Sequence, residues 1–138
     1  MAAVFVDTCF YIAMLRRVDG LHARCIAFDR EYRGSFVTSE FILIEVGNWL
    51  AQTSQRKIVA EFIGRLRTDP RTTVLDATPA RISHGLALYA ERPDKQWSLT
   101  DCISFRLMQD HAISDALTSD HHFTQAGFNA ILADPDGC

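Results

Sequence analysis

The stretch Ala3-Val4-Phe5-Val6-Asp7-Thr8, with Cys9-Phe10-Tyr11-Ile12-Ala13-Met14-Leu15 behind it, decides the fold class. Ala3 to Val6 is a short apolar run, partly β-branched, that stops at an acid and a hydroxyl residue, and Cys9 to Leu15 then continues with helical character. This pattern is a buried strand feeding a helix. Outward from it, Gly20 to Tyr32 predicts a second helix ending at Gly34, and Ser35 to Thr38 a short strand leading through Ser39 into a long helix over Glu40 to Gln52. Another helix is expected from Ser54 to Leu66. Asp69-Pro70 marks a turn, Thr72 to Leu75 a short β-branched strand, and Thr78-Pro79 the capped start of a helix that ends near Arg92-Pro93. Ser98-Leu99-Thr100-Asp101 fits a capping box and opens a helix to about His111. The strands Ala116 to Thr118 and Phe128 to Leu132 complete the pattern, with a helical turn, His121 to Gln125, between them.

Short strands alternate with helices from end to end, without repeat, low-complexity tract or linker. The expected architecture is therefore α/β: one domain over residues 1–138, a three-layer α/β/α sandwich around a mainly parallel central sheet. In such sheets ligands sit beyond the carboxyl ends of the strands, near the point where strand order reverses.

Composition agrees with this. The chain has 138 residues, 48% of them hydrophobic and 22% charged, with 7 Gly and 4 Pro, the balance of a globular protein rather than a disordered or fibrous one. No apolar stretch approaches the ~18 residues of a membrane helix, and Met1 to Val6 lacks a basic leader and meets Asp7 at once, which points to a cytoplasmic protein. Cys9, Cys25, Cys102 and Cys138 form no C-x-x-C pair and read as reduced thiols. A formal net charge of −3 argues against binding nucleic acid by bulk charge alone, although all basic residues except Lys57 and Lys95 are Arg, the better residue for forked phosphate contacts.

Four acids carry the chemistry. Asp7 falls at the carboxyl end of the first strand, where its simplest role is a helix N-cap. Glu45 lies within Phe41-Ile42-Leu43-Ile44-Glu45-Val46, the most apolar helix, where a carboxylate needs a partner: an Arg, solvent, or a metal. Asp101 occupies the third position of the capping box begun by Ser98, and that role is compatible with pointing into a strand-end crevice. Asp120 repeats the logic of Asp7 after the strand Ala116-Leu117-Thr118. Three acids at element boundaries facing one rim, plus one on an apolar helix, suggest a metal site, and an all-oxygen set favours Mg²⁺ or Mn²⁺. Phosphodiester hydrolysis is the reaction class that best uses such a cluster. Thr8 and Thr118 are candidates to orient the carboxylates.

Val6-Asp7-Thr8, the helix from Thr38-Ser39-Glu40 to Glu45, Trp97-Ser98-Leu99-Thr100-Asp101-Cys102, and Ala116-Leu117-Thr118-Ser119-Asp120-His121-His122-Phe123 with Ala126-Gly127-Phe128 resemble, in order, the four motif regions of the PIN-domain family. The likeness runs over essentially the whole chain and is to the small VapC-type toxins of bacterial toxin–antitoxin modules. It implies a Mg²⁺- or Mn²⁺-dependent ribonuclease with its acidic quartet on Asp7, Glu45, Asp101 and Asp120, an RNA substrate, a homodimer, and a cognate antitoxin that blocks the site. Cys9 departs from the pattern, since a small hydroxyl residue often follows the Asp-Thr pair, and this touches local hydrogen bonding only.

Other residues carry plainer expectations. His121 and His122 are expected to diverge, being adjacent, and to serve surface contact or substrate approach rather than ligation. Arg16 and Arg17, after the first helix and beside the acids, are candidates for RNA backbone contacts. Trp49, Trp97 and Phe123 are candidates for base stacking or, more commonly, for packing. Asp94 and Asp115 read as solvated or turn-forming. Two rival functions are a receiver-type signalling module using Asp7 and Asp76, which lacks a Lys in Phe128 to Pro135, and a catalytically silent module that binds RNA or protein.

Overall fold

The computed structural model describes residues 2–52 and 54–134. Twelve elements alternate among them: β1 (Ala3–Val6), α1 (Thr8–Leu15), α2 (His22–Glu31), β2 (Ser35–Ser39), α3 (Glu40–Trp49), α4 (Arg56–Leu66), β3 (Thr72–Leu75), α5 (Pro79–Glu91), α6 (Leu99–Asp110), β4 (Asp115–Leu117), α7 (His121–Gln125) and β5 (Asn129–Ala130). All pairings in the five-stranded sheet are parallel, in the order β3-β2-β1-β4-β5.

That order locates the crevice. From β1 the chain steps outward to β2 and β3, then returns to β4 on the other side of β1, so strand order reverses between β1 and β4. Right-handed crossovers made in opposite directions put their helices on opposite faces. The helices group accordingly: α1 packs on α2 and α3, and α3 on α4, whereas α5 packs on α6 and α6 on α7. The sandwich thus has the three layers expected of it. Val4, Phe5 and Val6 are almost fully buried at its centre, which is why β1 reads as a continuous apolar run.

Several boundaries shift by one to three residues from the expectation, with α3 ending at Trp49, α4 starting at Arg56 and β4 spanning Asp115–Leu117, and two more differ for identifiable local reasons. The second helix starts at His22 rather than Gly20, because the Asp19 carboxylate and carbonyl accept from the N–H groups of Leu21 (2.9 Å) and His22 (3.0 Å) and hold a turn there. The last strand is two residues long rather than five. Ile131 and Leu132 still donate to β4 and its following residue, but the Ala133 N–H folds back onto the Ala130 carbonyl (3.1 Å) and bends the edge away. Cys9, Cys25 and Cys102 are free thiols as expected, and Cys138 lies outside the described residues.

Two aromatic clusters brace the faces. Phe10, Phe28, Tyr32 and Phe36 meet on the α1–α2 side, and Trp97, Phe105, Phe123 and Phe128 on the α6–α7 side. The α5–α6 contact depends on Gly85, where an added Cβ would lie 2.8 Å from the Ile103 Cα and 2.9 Å from its N. Backbone cannot rotate aside as a side-chain tip can, so overpacking outweighs the gain of ~1 kcal/mol in helix propensity that Ala brings. Gly85→Ala is expected to destabilise the protein by about 1–3 kcal/mol in urea unfolding. An unchanged midpoint would show that the two helices separate at no cost.

Candidate active site

The register of β1 against β4 pairs Val6 with Leu117, so the next residues of both strands emerge side by side at the rim. Asp7 donates its N–H to the Leu117 carbonyl (3.3 Å), and its buried carboxylate accepts the Thr118 hydroxyl at 2.7 Å. Thr118 is the hub of this corner. Its oxygen also accepts from the Asp120 N–H (3.1 Å) and the Cys9 S–H (3.5 Å), which fills both acceptor positions and aims its own proton at Asp7. The thiol of Cys9 in turn accepts from the Ser119 N–H at 3.5 Å, so the residue that departs from the family pattern still closes the local network.

The other acids reach the same rim from separate elements. Glu45, half-buried on α3, accepts the hydroxyl of Thr8, the first residue of α1; its partner is this Thr rather than an Arg. Asp101 completes a capping box at the start of α6, accepting the Ser98 N–H (3.2 Å) while its own N–H donates to the Ser98 hydroxyl (3.0 Å). Its other contact is His122 Nδ1, 3.3 Å away. Asp120 caps α7 by accepting the His122 N–H at 2.9 Å. Capping and facing the crevice therefore coexist at Asp101 and Asp120, whereas Asp7, the N-cap of α1, makes no side-chain cap bond and spends its carboxylate on Thr118.

Electrostatics show the acids acting on one another. Burial pushes the Asp7 carboxyl up to about 7, Asp101 and Glu45 add repulsion, and the Thr118 hydroxyl and a backbone bond to Thr8 oppose the shift. Asp101 is raised as well, by burial first and by Asp120 after it, against the Ser98 N–H and His122. Among the described residues no Lys or Arg forms an ion pair with any of the four. Glu40, on the same rim at the end of β2, is the contrast: Arg67 and the Ala77 N–H, each at 2.8 Å, hold its carboxyl below the usual range. Carboxylates with no Lys or Arg partner offer the oxygen donors that a hard divalent ion takes, with the imidazoles of His121 and His122 beside Asp120 at the edge of the group.

Thr118→Val tests the hub. Removing the hydroxyl strands the Asp7 carboxylate and the Asp120 N–H together, and a loss of about 1–3 kcal/mol in thermal or urea unfolding is expected. A neutral substitution would mean that water already serves both groups.

Several expectations need correction. His121 and His122 converge instead of diverging: their ring centroids lie 4.4 Å apart, and their Nδ1 atoms stand 3.7 and 3.4 Å from Asp120 Oδ1. Both sit in the first turn of α7, where no preceding turn forces the rings apart. Arg16 and Arg17 are not brought beside the acids, because α1 starts at the rim and runs away from it; its eight residues carry the exposed pair roughly 12 Å down the helix axis. Of the aromatic candidates, Trp97 and Phe123 are buried in packing, and Trp49 alone is exposed. Asp94 is exposed as expected and pairs with Arg92, Asp115 is half-buried and pairs with Asn129, and Asp76, which follows β3, pairs with Arg81.

Comparison with known proteins places the fold. The family model of the PIN domain matches residues 4–129. Among solved structures the chain is similar to VapC20 of Mycobacterium tuberculosis, a toxin that cleaves the sarcin-ricin loop, at 22% identity over 93% of this chain and 98% of that one, with a TM-score of 0.84. It is similar also to VapBC2 of Rickettsia felis, solved with a DNA fragment from its promoter (8% identity, 93% and 96% covered, TM-score 0.66). A third likeness is to FitAcB of Neisseria gonorrhoeae (20% identity, 92% and 94% covered, TM-score 0.60). No curated protein matches the sequence. With the family match running from β1 to the first residue of β5, this chain belongs to the PIN domain family.

Proposed function

We propose that this protein is a Mg²⁺- or Mn²⁺-dependent endoribonuclease and the toxin of a toxin–antitoxin module. The observation that carries the proposal is Asp7: a buried carboxylate, raised to about 7, repelled by Asp101 and Glu45 and paired with no Lys or Arg among the described residues. Such a group is costly to the fold and is neutralised by a bound cation. Family membership and the likeness to a toxin that cleaves RNA support the substrate class.

In this reading Asp7, Glu45, Asp101 and Asp120 hold the ion. When bound, Mg²⁺ or Mn²⁺ lowers the pKa of water and offsets charge on the phosphodiester. The Thr118 hydroxyl holds one oxygen of Asp7 and the Thr8 hydroxyl one oxygen of Glu45, so both carboxylates are oriented before an ion arrives. Ser98 holds Asp101 at the helix start, where the backbone N–H groups favour its charged form.

A cognate antitoxin, a homodimer and a cytoplasmic location go with this reading. Among the described residues no helix is long and apolar enough to cross a membrane. Ile82, Leu86 and Tyr89 lie exposed along one side of α5, an apolar surface of the kind that assembly covers.

The experiment is cleavage of a total cellular RNA pool by purified protein with Mg²⁺ or Mn²⁺, with chelator, and with Asp101→Asn prepared identically. Discrete fragments that need the ion and vanish in the variant are expected. Absence of cleavage by folded, metal-loaded, antitoxin-free protein would transfer the weight to a silent module that binds RNA or protein, and equal cleavage by the variant would expose a contaminant.

A further inference from the structure

The convergence of His121 and His122 on Asp120 finds no use in an all-oxygen site. Consecutive residues on a helix point about 100° apart and do not face each other. Here the two rings approach to 4.4 Å, at 52° to one another, and one ligand atom from each of Asp120, His121 and His122 lies within 4.8 Å of the others. The Nδ1 to Oδ1 separations of 3.7 and 3.4 Å are close to the edge of a tetrahedron drawn around zinc, about 3.4 Å for ligand bonds of about 2.1 Å.

From this we infer that Asp120, His121 and His122 form a site for a transition-metal ion of the Zn²⁺ class, in which both imidazoles and one carboxylate are ligands. Two nitrogens and one oxygen make a borderline donor set, which favours Zn²⁺, Co²⁺ or Ni²⁺ over Mg²⁺ in the usual affinity order. Three protein ligands leave a fourth position for water, and the exposed ring of His121 leaves the approach open to solvent. His122 Nδ1 also stands 3.3 Å from Asp101 Oδ2, so the proposed site adjoins the acid rim through Asp101 and shares Asp120 with it. An ion held by the histidines withdraws Asp120 from the oxygen-only group, and Zn²⁺ then antagonises Mg²⁺ there. The site itself stands on three side chains and does not depend on the ribonuclease reading.

The test uses the full chain without an affinity tag, stripped with chelator and titrated with Co²⁺ alone, followed by visible absorption, and with Zn²⁺ by calorimetry. One saturable equivalent with a visible Co²⁺ band is expected in the wild type. His121→Ala, at an exposed position, should keep the fold by circular dichroism and weaken binding at least about tenfold. Glu45→Gln, which alters the acid rim without touching the histidines, should bind Co²⁺ like the wild type. The inference is overturned if the wild type shows no saturable binding, if His121→Ala binds unchanged, or if Glu45→Gln abolishes binding and so places the ion among the carboxylates. RNA cleavage in Mg²⁺ is scored separately, so either proposal can fail while the other stands.

Discussion

Asp7→Asn is expected to make the metal-free protein more stable at pH 8 while reducing metal-dependent RNA cleavage by at least about a hundredfold, since losing even an outer partner of a metal ligand costs 10–100-fold. The stability half follows from linkage. The folded pKa of about 7 lies above the ordinary value of 3.8, so between those values the folded chain binds the proton that the unfolded chain has released. The contribution of Asp7 is therefore fully present below about pH 4 and lost as pH rises through 7. At its full extent the loss is about 4 kcal/mol, at roughly 1.4 kcal/mol for each unit of pKa. Asparagine does not titrate, and its carbonyl still accepts the Thr118 hydroxyl. The variant should melt on the order of 10 °C higher than the wild type at pH 8 and differ little near pH 4. Under the proposed function, adding Mg²⁺ or Mn²⁺ should raise the melting temperature of the wild type more than that of the variant, since an ion held by Asp7 would bind the folded state preferentially. Melting curves across this pH range, with and without the ion, check both halves; a variant less stable than the wild type at pH 8 would make Asp7 a structural anchor.

Phe105→Ala should produce the largest loss of stability, about 3–5 kcal/mol. The ring is buried, stands edge-on to Trp97 (5.1 Å) and Phe123 (4.9 Å), and tilts against Phe128 (5.7 Å). Aromatic pairs in that geometry contribute beyond their buried area, so removal costs both cavity and contacts. Phe105 lies one turn after Asp101 on α6, and Phe123 one turn after Asp120, so a single ring braces the elements carrying two of the four acids. Urea unfolding measures the loss, and Phe105→Leu should recover part of it by refilling the volume. A cost below about 1 kcal/mol would mean that the surrounding rings collapse into the space.

The parts legible in the sequence were those where a local rule and the tertiary structure agree. β1 and β3 match their apolar and β-branched runs, α5 and α6 start at the capping residues Thr78 and Ser98, and α7 spans the turn expected after Asp120. Asp7, Asp101 and Asp120 stand out because strand ends and helix starts share the rim of a parallel sheet, whereas Glu45 stands out only for the apolar helix around it. Misplacements came from facts that a linear pattern does not carry. The edge of β5 bends through a backbone turn, and no side chain announces it. Arg16 and Arg17 follow Asp7 closely in sequence, yet a helix leaving the rim carries them away from it. Adjacent positions such as His121 and His122 suggest the divergence of a regular helix, which the first turn of α7 does not impose.

The bond from Thr118 to Asp7 joins residues 111 positions apart. As the chain leaves the ribosome, β1, β2 and β3 can pair with one another long before β4 exists. Until then β1 is the open edge of the sheet, and Asp7 lacks the Thr118 hydroxyl that it accepts in the folded protein. Docking of β4 withdraws it from water and delivers the hydroxyl that orients it in a single step. Ordering of Asp7 is thereby tied to completion of the sheet, and a chain whose β4 has not docked carries the acid without the hydroxyl that orients it.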